Sequence, residues 1–154
     1  MSSSTQTAKT LNSEQIKRII PQRFPFLMLD RITMAEPGVR VVGVKNLSAN
    51  EWFYQGHFPK RAVTPGAMIC EAIAQVGIVF FALSKGEGRD VTYLLGGIKI
   101  RFLHPAWPGD QLRIEVTPVR VTSNAAILTG EVFVEERLIA KGEFTLAAKP
   151  NDEL

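Results

Sequence analysis

The chain has 154 residues, of which 45% are hydrophobic and 21% charged, and its formal net charge is +3. That length suits one domain with a single core. The weak positive charge, with no cluster of Lys and Arg, argues against nucleic-acid binding and agrees with a small acidic partner or an anionic substrate. The single cysteine, Cys70, excludes an intrachain disulfide and favours a reducing compartment such as the cytoplasm.

The first third of the chain is predicted to hold a tail, a short helix and two strands. Its first residues contain no apolar segment of the kind found in a secretory signal. Asn12 is a helix cap with Gln15 three residues later, and Pro21 ends the helix. The predicted segments are a disordered tail over 1–11, a helix within 12–21, and strands over 26–34 and 39–49, with a turn at 36–38.

Residues 50–65 have no clean period and are predicted to form a structured, functional loop. A long helix follows, with Thr64 as N-cap, Pro65 as first residue and Gly86 closing its end. Its roughly 20 residues give a length of about 30 Å. This helix is almost entirely apolar and must be covered on most sides. A membrane span is the rival interpretation, which the strand-rich remainder of the chain disfavours.

The last third alternates polar and apolar residues in the manner of strands with one solvated face. Four strands are predicted, over 91–105, 111–122, 125–136 and 137–148. The fold class is therefore α+β, with an antiparallel sheet of about six strands curled around one long central helix. The domain spans 12–148, and 149–154 form a C-terminal tail. Because one curved sheet rarely covers every side of a helix, we expect a second copy to complete a homodimer.

Two residues of the middle segment are candidates for chemistry. Glu71 lies two turns into the apolar helix, and burial of an unpaired carboxylate disfavours its charged form, which makes a general acid usable near neutral pH. The alternative is a structural Glu71 bonded to Gln75, one turn along the same face. His57 precedes the helix in the loop, and a bond from its ring to a backbone carbonyl would make it structural instead.

Spacing allows these two side chains to meet. The loop from His57 to the helix could span about 24 Å when extended, so His57 could reach Glu71 of its own chain or of a dimer mate. The free amides of the helix start, including that of Gly66, are suited to polarising a carbonyl oxygen. His104, at a strand end, and Cys70, on the helix, are expected to be structural, and the spacing of these residues argues against a metal site.

Four ordered blocks of the sequence resemble the 3-hydroxyacyl-[acyl-carrier-protein] dehydratases of bacterial type II fatty-acid synthesis. The blocks are "IIPQRFPFLMLDRI", "VKNLSANEWFYQGHFP", "GHFPKRAVTPGAMICEAIAQ" and "IRFLHPAWPGDQL". The resemblance covers roughly residues 12–148. It implies the hot-dog fold, paired into dimers and often a trimer of dimers, with no cofactor.

The resemblance also implies the reaction and its residues. His57 and Glu71 match the family's catalytic pair, which comes from opposite subunits, and Gly66 matches the glycine whose amide binds the thioester carbonyl. The implied reaction converts a (3R)-hydroxyacyl thioester into the trans-2-enoyl product, with the acyl chain in a tunnel between subunits. An acidic carrier protein would deliver the substrate, and charge alone nominates a docking patch. Its candidate residues are Lys60, Arg61, Lys99 and Arg101.

Several positions depart from the family pattern without removing the catalytic pair. They are Gln22 for His, Ala62 for Pro, Thr64 for Met, Lys99 for an acid, and Leu103 with His104 for a basic pair. These departures indicate a divergent branch of the family. One option is that this branch serves a related polyketide pathway. Two other functions stay open: a hot-dog thioesterase that uses Glu71 to activate water, and a silent dimer that binds acyl chains or carrier protein.

Overall fold

One antiparallel sheet of seven strands forms most of the computed structural model, which describes residues 8–86 and 88–154. The strands are β1 (Lys9–Leu11), β2 (Arg31–Glu36), β3 (Arg40–Asn46), β4 (Val91–Phe102), β5 (Gln111–Val121), β6 (Ala125–Val134) and β7 (Arg137–Pro150). Their order across the sheet is β1-β2-β3-β5-β6-β7-β4. The predicted α+β class is confirmed, with one strand more than the expected six or so.

Two α-helices accompany the sheet. Helix α1 (Ser13–Lys17) begins at the predicted cap, where the Asn12 side chain accepts from the Gln15 N–H at 2.9 Å. The Gln15 side chain accepts in turn from the Asn12 N–H at 2.8 Å, which completes the capping box. Helix α2 (Gly66–Lys85) is the long apolar helix and ends at Gly86, whose φ is 92°.

Helix α2 packs closely against the sheet at several glycines. Glycines allow the approach: a Cβ built on Gly77 would lie 2.5 Å from the Phe144 ring, and one on Gly130 would lie 2.7 Å from Ile73. Residues 72–82 of the helix are buried throughout. Helix α2 is long and apolar enough to cross a membrane, but 67% of its most apolar window is buried inside the chain. The helix is thus the core of a folded domain.

Two surfaces of the single chain are less covered. On the first turns of α2, Ala67 is exposed, and Cys70 and Glu71 are only half-buried. These three positions share one helix face, because residues three and four apart lie above one another. At the end of the sheet, β4 pairs with β7 along one side only. Leu94 and Leu95 of that edge strand are each 43% exposed.

Several predicted boundaries were wrong. Residues 9–11 lie in the predicted tail but form β1, which pairs with β2, whereas residues 1–7 lie outside the described part. The strand predicted over 26–34 covers only Arg31–Glu36, because residues 26–28 are held as a loop by the Gln75 side chain. In the second half, β7 extends to Pro150 and a 3-10 turn occupies 151–153, where a tail was predicted.

The predicted cap of α2 was also wrong. Pro65 is the capping residue, and no side chain bonds the first amides of the helix. The Thr64 hydroxyl is used elsewhere, since it forms a 2.7 Å hydrogen bond with the Tyr54 hydroxyl. The first helical residue is Gly66, not Pro65.

Candidate active site

The His57 ring is held by its own loop. Its Nδ1 atom lies 2.9 Å from the Val63 carbonyl oxygen. A carbonyl can only accept, so Nδ1 carries the proton and Nε2 keeps a free lone pair. The ring also stacks on Phe58, with centroids 4.0 Å apart. In the neutral ring this contact selects the tautomer that leaves Nε2 able to accept a proton.

Backbone hydrogen bonds hold the loop around His57 in place. The His57 N–H donates to the Tyr54 carbonyl at 3.3 Å, and the Val63 N–H donates to the His57 carbonyl at 3.1 Å. The Thr64 N–H donates to the Ala106 carbonyl at 2.9 Å, which ties the loop to the segment between β4 and β5. The predicted structured loop is therefore confirmed. It contains a 3-10 turn over Trp52–Gln55.

The Glu71 carboxylate is oriented by Gln75. Gln75 Nε2 donates to Glu71 Oε1 at 2.8 Å and to the Phe26 carbonyl at 2.7 Å, while Gln75 Oε1 accepts from the Met28 N–H at 2.8 Å. Gln75 itself has no exposed surface. The structural alternative for Glu71, a bond to Gln75, is thus real. It occupies only one carboxylate oxygen, so Oε2 is available to a ligand at the half-buried helix face.

Gly66 presents free backbone donors at the start of α2. The helix's first carbonyl bonds come from Met68 and Ile69, which both donate to Pro65. Within the described residues no acceptor bonds the N–H of Gly66 or Ala67. The Phe102 ring packs against Gly66, where a Cβ would lie 2.9 Å from it. A side chain at position 66 would crowd the Phe102 ring in its present position.

A cavity of about 320 Å³ opens beside Gly66. Phe102, Leu103 and His104 line its outer side, and Ile69 lines its base. His104 is exposed at this rim, so it lies next to the helix start and not in the core. Burial raises the pKa of the Cys70 thiol, which is half-buried on the same stretch of α2. This keeps the thiol protonated and agrees with the expected structural role.

The candidate residues His57 and Glu71 have separate partners. Among the described residues, no hydrogen bond or ion pair joins His57 to Glu71: the first bonds Val63 and the second bonds Gln75. The Glu71 face of α2 is one of the two less covered surfaces of the chain. What the single chain provides is an oriented base, an oriented carboxylate and a free amide, all near one end of α2.

Sequence reasoning missed Tyr54, whose buried hydroxyl meets Thr64. Two hydroxyl side chains ten positions apart give no periodic signal, so only the loop's closure brings them together. It also missed the contacts of residues 26–28 with Gln75. The available signal was Gln75 itself. A glutamine in an apolar helix is expected to be buried, and its amide needs more hydrogen-bond partners than Glu71 alone provides.

Known proteins resemble this chain over most of its length. A family model described as a FabA-like domain matches residues 20–143. A curated relative from Bacillus cytotoxicus, 3-hydroxyacyl-[acyl-carrier-protein] dehydratase FabZ, is 46% identical over 138 residues, which cover 89% of this chain and 95% of the relative. The chain belongs to this dehydratase family. Relatives of the same name from Thermomicrobium roseum (46% identity, 89% of this chain and 92% of theirs) and Clostridium kluyveri (43%, 84% and 90%) agree.

The solved structures that align with this chain place it in the hot-dog fold. The dehydratase heterocomplex ApeI:P from Xenorhabdus doucetiae aligns with a TM-score of 0.73 at 18% identity, covering 90% of this chain and 92% of that one. A hypothetical thioesterase with coenzyme A from Streptococcus pneumoniae aligns at 0.59 and 13% identity, covering 77% of this chain and 84% of that one. At these identities the likeness concerns the fold alone.

Proposed function

We propose that this hydro-lyase converts (3R)-hydroxyacyl-[acyl-carrier-protein] into the trans-2-enoyl product in fatty-acid synthesis, with His57 of one chain and Glu71 of a second chain as the acid–base pair. The identity to curated dehydratases supports the reaction and its setting. The observation that carries the residue roles is the His57 tautomer. The Nδ1–H bond to Val63 leaves Nε2 free to take a proton.

In the proposed mechanism His57 Nε2 removes the C2 proton of the substrate. The negative charge that develops on the thioester oxygen is stabilised by the Gly66 N–H, whose hydrogen-bonding capacity is unused within the described chain. The C3–O bond then breaks, and Glu71 donates a proton so that the hydroxyl leaves as water. Return of the proton from His57 to Glu71 through solvent restores the site.

We propose that two chains assemble into a homodimer through the free side of β4. Strand edges with unpaired backbone groups and exposed apolar side chains are sites of pairing. β4 offers both, with Leu94 and Leu95 exposed along an edge of 12 residues. A partner there would also cover the half-buried face of α2 that holds Glu71. Further assembly into a trimer of dimers is an expectation of the family resemblance.

Close packing fills the space between α2 and its own sheet at three glycines. A Cβ on Gly77 would lie 2.5 Å from the Phe144 ring, one on Gly130 2.7 Å from Ile73, and one on Gly43 2.7 Å from Val76. This packing favours a tunnel for the acyl chain on the opposite side of α2. In the proposed dimer that side meets the second subunit, so the chain would lie between subunits.

For the acidic carrier protein, Lys60 and Arg61 are the better docking candidates. Both are exposed in the His57 loop, and the Arg61 guanidinium lies 4.3 Å above the Trp107 ring. Lys99 and Arg101 line a separate groove on β4, β6 and β7 that also holds Glu131 and Glu143. Lys141 lines the groove as well, so the two carboxylates offset most of its positive charge and leave a weaker attraction for an acidic partner. The single cysteine and the carrier-dependent substrate agree with a cytoplasmic location.

Product analysis distinguishes the proposed dehydratase from its alternatives, the thioesterase and the silent binder. The purified protein is incubated with a 3-hydroxyacyl and, separately, a trans-2-enoyl carrier-protein thioester, and products are identified by mass spectrometry. Interconversion with loss or gain of water supports the proposal. Release of free thiol supports the thioesterase, and no change supports a silent binder. His57→Ala and Glu71→Gln should each lower turnover at least a hundredfold, roughly the contribution of a general acid or base, whereas the exposed control Glu136→Gln should not.

A further inference from the structure

Tyr54 and Thr64 join the two ends of the loop that carries His57. Their hydroxyl oxygens lie 2.7 Å apart, and the side chains are 5% and 6% exposed. Tyr54 lies in the 3-10 turn near the start of the loop, and Thr64 directly precedes the capping residue of α2. A buried hydroxyl without a hydrogen-bond partner destabilises the fold, so each of these hydroxyls holds the other in place. We call these two groups the hydroxyl pair.

The hydroxyl pair is one residue away from the atom that sets the His57 tautomer. The Val63 carbonyl accepts from His57 Nδ1, and Val63 is the neighbour of Thr64 in the chain. The Tyr54 carbonyl accepts from the His57 N–H at the opposite end of the loop. The backbone groups that bond His57, which are the Tyr54 carbonyl and the N–H and carbonyl of Val63, therefore belong to or adjoin the hydroxyl pair.

We propose that Tyr54 is a positioning residue, which acts through Thr64 and the Val63 carbonyl to hold His57 in its Nδ1–H tautomer. Its link to turnover rests on the proposed function, whereas its link to the tautomer does not. Thr64 has no competing duty, because it does not cap α2. Tyr54 touches neither substrate nor reacting atoms in this scheme and is not a catalytic residue.

The experiment reads the tautomer directly. The chain has only two histidines, so side-chain ¹⁵N NMR gives two resolvable ring systems, with the exposed His104 as internal reference. Tyr54→Phe and Thr64→Val each remove one hydroxyl, Thr64→Ser keeps it, and the double variant removes both. Expected are a single Nδ1–H tautomer of His57 in the wild type and in Thr64→Ser, and a tautomer mixture in the other three proteins.

Kinetics separate positioning from stability. Single variants should lower kcat about tenfold with KM changed less than about twofold, as expected when chemistry and not binding is affected. The double variant leaves no hydroxyl unpaired, so its melting temperature should recover towards the wild type while kcat and the tautomer mixture should not. If kcat and the tautomer recover together with stability in the double variant, or if Tyr54→Phe keeps a single tautomer, the proposal is overturned.

Failure of this inference and failure of the proposed function give different results. If the wild type lacks dehydratase activity but shows the tautomer change in Tyr54→Phe, the positioning role stands and the function fails. If the wild type is active and the tautomer is unchanged in every variant, the function stands and the positioning role fails.

Discussion

The Gln75 side-chain amide donates to the Glu71 carboxylate at 2.8 Å, and the same nitrogen holds the Phe26 carbonyl at 2.7 Å. One buried glutamine thus connects the candidate acid to the loop that replaces the predicted strand start. Its other end accepts from the Met28 N–H, so all of its contacts are made within the chain. The orientation of Glu71 is therefore built by a single chain, although the proposed site needs two.

Replacement of Gln75 should harm both folding and turnover. Gln75→Leu removes three hydrogen bonds and leaves the Met28 N–H and the Phe26 carbonyl without partners. We expect the free energy of unfolding to fall by about 2–4 kcal/mol and kcat to fall at least tenfold. Urea denaturation and the dehydration assay measure the two effects.

A second glutamine offers a matched control. Gln22 has a buried side-chain oxygen that finds no hydrogen-bond partner within the described residues. Gln22→Met should therefore leave stability unchanged or slightly higher. Equal losses in the free energy of unfolding for Gln75→Leu and Gln22→Met would show that the hydrogen bonds of Gln75 do not stabilise the fold.

Gly66→Ala should reduce activity without unfolding the chain. The new Cβ would lie 2.9 Å from the Phe102 ring, which is 47% exposed and can move aside. We expect the melting temperature to change little, because alanine also favours helix. The displaced ring and the added methyl crowd the amide that should receive the thioester oxygen, so kcat/KM should fall about tenfold or more. Wild-type kcat/KM in this variant would exclude the Gly66 amide as the oxyanion donor.

The Cys70 thiol should react slowly with alkylating reagents. Burial raises its pKa above the ordinary value of 9.0, which lowers the thiolate fraction near neutral pH. Because the chain has one cysteine, mass spectrometry follows the reaction without ambiguity. With iodoacetamide at pH 8 we expect at least about a tenfold lower rate than for the same chain in urea. Equal rates in buffer and in urea would show that the thiol is neither desolvated nor covered.

Both tyrosines should ionise at unusually high pH. Burial raises the pKa of Tyr54 and of Tyr93 above 10.0, and these are the only tyrosines in the chain. The folded chain then holds the tyrosine protons more tightly than the unfolded chain. The contribution of these two groups to the free energy of unfolding is therefore fully present below pH 10 and is lost as the pH rises through the folded pKa. Ultraviolet titration should place both transitions above that of the urea-unfolded chain. Tyr54→Phe should remove one of them, and a native transition at the unfolded position would contradict the burial.

The main elements were predictable from sequence, and the candidate site residues could be nominated from it, because both follow local rules. Period-two alternation marks β5, β6 and β7, and the Asn12–Gln15 spacing marks the start of α1. The lone Glu71 in an apolar helix indicated a special carboxylate. Each of these signals lies within a few residues of chain.

Two of the errors share a physical cause, which is competition from distant side chains. Thr64 has the chemistry of a helix cap, but Tyr54 takes its hydroxyl. Residues 26–28 have the apolar character of a strand, but Gln75, 47 positions from Met28, bonds their backbone instead. Local propensity cannot report a partner that only the fold brings near.

Mixing two inactive variants tests the shared site most directly. Chains with His57→Ala and chains with Glu71→Gln are combined by refolding in equal amounts. If each site takes His57 from one chain and Glu71 from the other, half of the dimers are mixed and each mixed dimer holds one intact site. The account predicts about one quarter of wild-type dehydratase activity per chain from a mixture of inactive parents. If both residues act within one chain, no intact site can form, and the mixture staying as inactive as its parents would contradict the account.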